Sequence, residues 1–328
     1  MGSKGYFVGR LIQIILTLWV ILTLLFFFFR LGLPDPTVAL VSEGLSPEDR
    51  QIIIQRFGLD RPLYAQYFIY LRNVIVGEFG TSFYYKAPIS GLIGEKLLNT
   101  LVLMLPAVLL AYVIGPLLGV LLTWKRGTRL ELGGITLGLF FRSAPMFWTG
   151  MLFVMFFGIN LGWFPTSGMR TLPYEASNFL QKILTVDFLW HLSMPLMVIF
   201  LYYTGLPMLI MRNTMLEVMG EDFIEFSRAR GIPIRKVMYR HAARNALLPV
   251  VTQAAITAGL AVGGQVVVEV VFSWPGLGME MLQAVRTSDY PLAQATFLLL
   301  AAMVLAMNFV ADIVYSKLDP RVAYKRNV

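Results

Sequence analysis

Residues 11–29 read LIQIILTLWVILTLLFFFF, a run of one glutamine, two threonines and otherwise apolar side chains. A helix rising about 1.5 Å per residue crosses about 30 Å of hydrocarbon with a run of this length. Lys4 and Arg10 precede it, as they would in a secretory signal, but the run is long for one and no small-x-small cleavage site follows. It is expected to be an uncleaved membrane anchor. The rest of the chain agrees: 57% of residues are hydrophobic, 14% are charged, and the mean hydropathy is +0.69. Those values lie outside the range of soluble domains of this size. A β-barrel would show ten-residue alternating segments instead.

Further apolar runs place five more spans at about 97–123, 134–158, 188–211, 248–272 and 291–315. Prolines at 106, 116, 195 and 207 lie inside them. They are tolerable because neighbouring membrane helices satisfy the freed carbonyls. The fold class is therefore an all-α integral membrane protein with six transmembrane helices. The domains read as 1–30, a tail and first span; 31–96, an extracytoplasmic helical region; 97–315, the membrane core; and 316–328, a cytoplasmic tail. Within 31–96, Ser46-Pro47-Glu48-Asp49 is a helix start and Gly58 its end. A second helix follows Pro62 and stops near Gly77. Trp163 and Trp190 are candidate interface anchors.

Charge placement sets the orientation. With the N-terminus inside, the inner segments hold 16 basic and 6 acidic residues, a net of +10. The outer segments hold 10 basic and 11 acidic residues. The overall net charge of +8 is thus a topology signal and not a nucleic-acid footprint. Both termini are placed in the cytoplasm. With no cysteine and only His191 and His241, far apart, thiol chemistry and a histidine metal site are excluded.

The largest inner loop is 212–247. Its stretch 225–249, EFSRARGIPIRKVMYRHAARNALLP, carries Glu225, Arg228, Arg230, Arg235, Lys236, Arg240 and Arg244. Phe223 and Phe226 have helical spacing. Gly231 fits a helix end and Pro233 the first turn of another helix. A second helix would put Ile234, Val237, Met238, His241, Ala242, Asn245 and Leu248 on one face. Two short amphipathic helices with a Gly-x-Pro corner fit two uses. One is a hairpin lying on anionic lipid. The other is a knob for a groove in a soluble partner, favoured by the acids Glu221, Asp222 and Glu225.

The stretch resembles the cytoplasmic coupling loop, the EAA loop, of ABC importer permeases, most closely the dipeptide/oligopeptide/nickel branch. Glu225 and Gly231 keep that motif's spacing. Phe226-Ser227 stand where alanines are common, and RARG…RHAARNALLPV is the branch's form. Similar segments follow in order along the chain: FGLDRPLYAQYFIYL at 57–71, GEFGTS at 77–82, SAPMFWTG at 143–150, VVVEVVFSWPGLG at 266–278, DYPLAQA at 289–295 and LDPR at 318–321. The resemblance implies a permease subunit of the bacterial cytoplasmic membrane, forming half of a path for di- or oligopeptides. Nickel complexes, glutathione and oligosaccharides are carried by relatives. It also implies a second homologous permease, two cytoplasmic ATPases that bind ATP and Mg, and an extracytoplasmic solute-binding protein. The coupling residues carried over are Glu221, Phe223, Glu225, Phe226, Arg228, Ala229, Gly231, Pro233, Val237 and His241. No Gly-Lys pair occurs, so no Walker A loop is present and no ATPase site or cofactor is expected in this chain.

Ionisable groups inside spans default to functional candidates. Glu269 and Asp312 stand at family-like positions, with structural roles the blander reading. Arg142 is unusual for the family. It either snorkels to the inner headgroups or meets an anionic part of the substrate in the pathway. Gly259 and Gly263 make a GxxxG, which permits close helix packing. Pro275-Gly276-x-Gly278 reads as a turn opening a short outer helix. A secondary transporter or channel would need ion-coupling groups and a repeat between halves, and neither is visible. No nucleophile–base or metal constellation suggests an enzyme.

Overall fold

The computed structural model describes residues 3–31, 48, 51, 61–173, 179–263 and 266–318. Of the expected helix from Ser46 to Gly58 only Glu48 and Gln51, both helical, are described, and Gly264 and Gln265 lie outside the described residues. Contacts divide the chain into two units, one of 1–100 with 275–305 and one of 101–274 with 306–328.

In the first unit, α1 (Ser3–Leu31) is the opening apolar run. Only 6% of its most apolar window is buried, so nearly all its surface is left for lipid or for other chains. Its C-terminal end is the exception, where Phe26 and Phe29 are buried. The Thr23 hydroxyl meets the Tyr67 hydroxyl of α2 (Leu63–Ile75) at 2.7 Å. As expected, α2 follows Pro62, and Gly77 past its end has φ +76°. The left-handed value suits glycine because a Cβ would meet the neighbouring carbonyl.

The segments at 77–82 and 289–295 interlock in this unit. Asp289 is fully buried and accepts from the Ser82 hydroxyl at 2.5 Å, the Tyr84 amide at 3.1 Å and the Leu292 amide at 3.2 Å. The last contact caps α13 (Tyr290–Leu318). The turn at 275–278 opens α12 (Leu277–Arg286), with Gly276 at its N-cap. The Thr100 hydroxyl accepts from the Leu277 amide at 2.8 Å, and the Asn99 side chain donates to the Pro275 carbonyl at 2.9 Å. Buried Glu280 of α12 pairs with Lys96 at 2.8 Å. Both Asn99 and Lys96 stand on α3 (Ile89–Trp124), which carries Pro106 and Pro116.

The second unit is built on α7 (Val186–Val218). Two helices meet α7 through close backbone approaches. On α3, Gly115 and Gly119 abut residues 204–212 of α7. On α4 (Arg129–Ser143), Gly138 abuts Gly205. Small residues at such crossings let membrane helices pack tightly.

The third expected span, 134–158, is not one straight helix. Helix α4 and α5 (Met146–Phe153, continued by a π-helical stretch over Val154–Asn160) meet at 104°. The cause is local. Ala144 precedes Pro145 and takes φ −66°, ψ 135°, the extended region that a following proline imposes.

After α6 (Phe179–Ile183), α7 runs seven residues past the expected end of the fourth span, so the loop's first residues, Arg212–Val218, are helical. Over the expected fifth span, 248–272, the described helices are α10 (Ala243–Gly263) and α11 (Val266–Val271). Trp163 and Trp190 are both exposed, and the Trp190 indole donates to the Trp163 carbonyl at 2.9 Å. Four described helices, within α1, α3, α7 and α13, are long and apolar enough to cross a membrane, or five with the bent pair counted once.

Candidate functional site

The loop after α7 folds into the expected helix–corner–helix. Helix α8 (Asp222–Ala229) begins at Glu221, whose backbone is extended (φ −78°, ψ 147°). Asp222 and Glu225 lie in its first turn and Arg228 in its last, the signs that suit a helix dipole. One side chain anchors it: Ile224 is buried against Met211 and Met215 of α7 and Val237 beyond the corner. Phe223 and Phe226 point away, 39% and 63% exposed, and Arg230 stacks over the Phe226 ring at 5.3 Å. Glu221, Glu225, Arg228 and Ala229 are exposed too. The outer surface of α8 is therefore aromatic at its centre with charges of both signs around it.

Gly231 ends α8 in a Schellman turn. Its amide donates to the Arg228 carbonyl at 2.9 Å, and the Ile232 amide donates to the Ser227 carbonyl at 3.3 Å. This geometry needs φ +74° at Gly231. A Cβ placed there meets nothing within 4 Å. The glycine serves the turn within this chain, and steric rejection of a larger residue would have to come from another molecule.

Pro233 sits one position earlier than expected, at the N-cap of α9 (Ile234–Lys236). Its carbonyl accepts from the Lys236 and Val237 amides at 2.8 and 3.1 Å. A π-helical stretch over Val237–Ala242 then leads into α10.

That stretch corrects the expected face. Val237, Met238, Ala242, Ala246 and Val250 are buried, whereas Ile234, Asn245 and Leu248 are exposed and His241 is half-buried. A π-turn adds a residue, so the apolar stripe advances relative to a 3.6-residue period.

The base of the loop is held by groups the sequence reading passed over. Glu131, 7% exposed, accepts from Arg212 at 2.8 Å (Nε) and from the Gly127 amide at 2.6 Å. Thr128 caps α4 by accepting from the Glu131 amide at 3.4 Å. Thr128-x-x-Glu131 has the capping-box pattern and was legible as such. The pairing with Arg212, 81 residues on, was not.

The two pathway candidates lie apart from the loop. Arg142, in the last turn of α4, places its guanidinium 4.6 Å from the centre of the Tyr202 ring. Glu269, on α11, is 1% exposed, and its carbonyl accepts from the Trp274 amide at 2.7 Å. Asp312 is half-buried on α13. No group of three or more metal-ligating side chains occurs among the described residues.

Residues 111–324 match the family model for the inner membrane component of binding-protein-dependent transport systems, and residues 4–106 match the model of its N-terminal region. The chain belongs to this family of transport permeases. It is 36% identical to the oligopeptide transport system permease protein AppB of Bacillus subtilis, over 98% of this chain and 99% of that one. It is 34% identical to the di/tripeptide transport system permease protein DppB of Pseudomonas aeruginosa, again over 98% and 99%. Among solved structures it resembles a chain of the methionine ABC transporter MetNI in inward facing conformations. The TM-score is 0.52 and the identity 20%, over 70% of this chain and 96% of that one. This last likeness speaks for the fold alone.

Proposed function

We propose that this chain is one of two homologous permease subunits of an ATP-driven importer of di- or oligopeptides. It crosses the bacterial cytoplasmic membrane six times, with the termini and the 212–247 loop inside and residues 31–96 outside. Two ABC ATPases bind ATP and Mg and dock on the loop, and an extracytoplasmic binding protein delivers substrate to the outer surface. Closure of the ATPase pair draws the coupling helices together and opens the spans outward; hydrolysis resets them inward.

The observation that carries the reading is α8 itself. A helix pinned by Ile224 and closed by a Schellman turn presents two exposed phenylalanines in a ring of charges. Aromatic anchors with a charged rim are what a helix-in-groove contact uses. The residues assigned to docking are Phe223 and Phe226 as anchors and Glu221, Glu225, Arg228 and Ala229 around them. Gly231 and Pro233 shape the corner, while Val237 and His241 tie it to the membrane core.

The test is peptide import and binding-protein-stimulated ATP hydrolysis by the reconstituted importer carrying Gly231→Arg. Both are expected to be lost while the variant still inserts. Normal import by Gly231→Arg would remove the docking assignment.

A further inference from the structure

The register between α4 and α7 fixes the depth of Arg142. The two helices run antiparallel: Glu131 meets Arg212, Gly138 meets Gly205, and Arg142 meets Tyr202. A Cβ built on Gly205 would also touch the Arg142 Cβ at 3.5 Å. Tyr202 is the central residue of α7, sixteen residues from Val186 and sixteen from Val218. The last seven residues of α7 lie beyond the expected fourth span, so counted from that span's inner end at residue 211 Tyr202 is nine residues in, about 14 Å at the helical rise. An arginine side chain reaches only a few ångströms along a helix, so snorkelling to the inner headgroups does not explain this cation. Among the described residues no carboxylate pairs with it.

The Arg142 charge is felt by the Tyr112 hydroxyl, an uncharged group. Tyr112 lies one turn from Gly115, whose Cβ position abuts Thr204 and Pro207 of α7. The Tyr112 hydroxyl is 2.6 Å from the Thr257 hydroxyl and donates to the Gln253 carbonyl at 3.3 Å, and the Gln253 amide donates to Thr257 at 3.3 Å. These groups come from the part of α3 after residue 100 and from α10, both packed on α7 in the second unit. One cation beside uncharged hydroxyl and amide groups matches a ligand with one carboxylate and several amides.

We infer that Arg142, held over the Tyr202 ring, is a mid-membrane station for the carboxylate of a passing peptide. This rests on the peptide-importer reading. Stacking on an aromatic face orients the guanidinium while leaving its N–H fork free to take an anion in two parallel hydrogen bonds. A single half-buried contact holds an anion briefly, which suits a passage through which substrate must also leave. The same chemistry would accept a lipid phosphate, so the test separates the two sources.

The complete importer is reconstituted with binding protein saturated with a labelled tripeptide, in vesicles of zwitterionic lipid and in vesicles that also contain anionic lipid. Import rate, ATP hydrolysis and recovery of assembled complex are measured. Arg142→Gln is expected to slow import about tenfold, the scale of one lost charged hydrogen bond. The loss should be equal in both lipids, with assembly and stimulated hydrolysis retained. Arg142→Lys should recover most of the rate. An unchanged rate in Arg142→Gln, a deficit confined to anionic vesicles, or a deficit that follows loss of assembled complex each overturns the inference. A wild-type complex that moves no peptide refutes the underlying reading instead, and the inference with it.

Discussion

Replacing Gly205 by alanine tests the α4–α7 crossing, on which the placement of Arg142 depends. A Cβ at Gly205 would stand 2.5 Å from the Gly138 carbonyl oxygen and 3.1 Å from its carbon. Real Cβ contacts keep beyond 3.0 Å, so the two helices must part by at least half an ångström. Both atoms met are backbone, so no rotamer change relieves the clash. Overpacking of this kind costs about 1–3 kcal/mol. Alanine's better helix propensity returns up to about 1 kcal/mol.

The expected net effect is a Tm lower by a few degrees in a thermal unfolding assay of the purified importer, with slower import because the Arg142 end of α4 lifts from Tyr202. Gly133→Ala is the control. It lies on α4, the partner helix of the crossing, its Cβ meets nothing within 4 Å, and it should be neutral or stabilising. Gly138→Ala should fall between, since its Cβ meets mainly the mobile Met208 Cε. Gly205→Ala behaving like Gly133→Ala would refute the crossing and the depth assigned to Arg142.

Other expectations follow from single contacts. Gly231→Ala should cost about 1 kcal/mol of folded-state strain from its positive φ and leave import nearly intact, in contrast to Gly231→Arg; equal defects would place the cause in the turn and not in a partner. Glu131→Gln should uncouple ATP hydrolysis from import by loosening the base of the loop, and Arg212→Gln should add little further in the double variant; additive losses would show that the two act independently. Asp289→Asn should lower the unfolding temperature, because the amide turns a donor toward a group that itself donates, a loss of about 1–3 kcal/mol.

Tyr85 makes a pH prediction. Burial, followed by the neighbouring Glu280 carboxylate, pushes its hydroxyl up to about 12. Its neutral form is favoured in the fold, so its contribution is complete below the unfolded tyrosine value and is lost as pH rises from there towards 12. Tyr85→Phe should blunt the alkaline fall in stability, read from unfolding temperatures across that range.

Much of this was legible in the sequence because membrane helices and glycine turns write strong local signals. The run at 11–29, the stop at Gly77, the helix opening at 275–278 and the corner at Gly231 each depend on a few adjacent residues. The bend at Ala144-Pro145 was also local. It was passed over because an apolar run of span length looked sufficient, although the residue before a proline leaves the helical region. The buried face after Pro233 was misassigned because the π-turn breaks the assumed period, and nothing in VMYRHA announces an extra residue per turn. Contacts between distant segments were out of reach. Ser82 with Asp289, Lys96 with Glu280 and Glu131 with Arg212 are each more than eighty residues apart. Arg142 was singled out by its charge in an apolar run, but only the register against α7 sets its depth.

The most direct measurement is uptake of labelled di- and oligopeptides by cells with and without this gene, complemented by the wild-type chain or by Gly231→Arg. Loss of uptake on deletion, restored by the wild type and not by the variant, is the expected result and joins peptide import to the coupling loop. Undiminished uptake without the gene, or full restoration by Gly231→Arg, would contradict it.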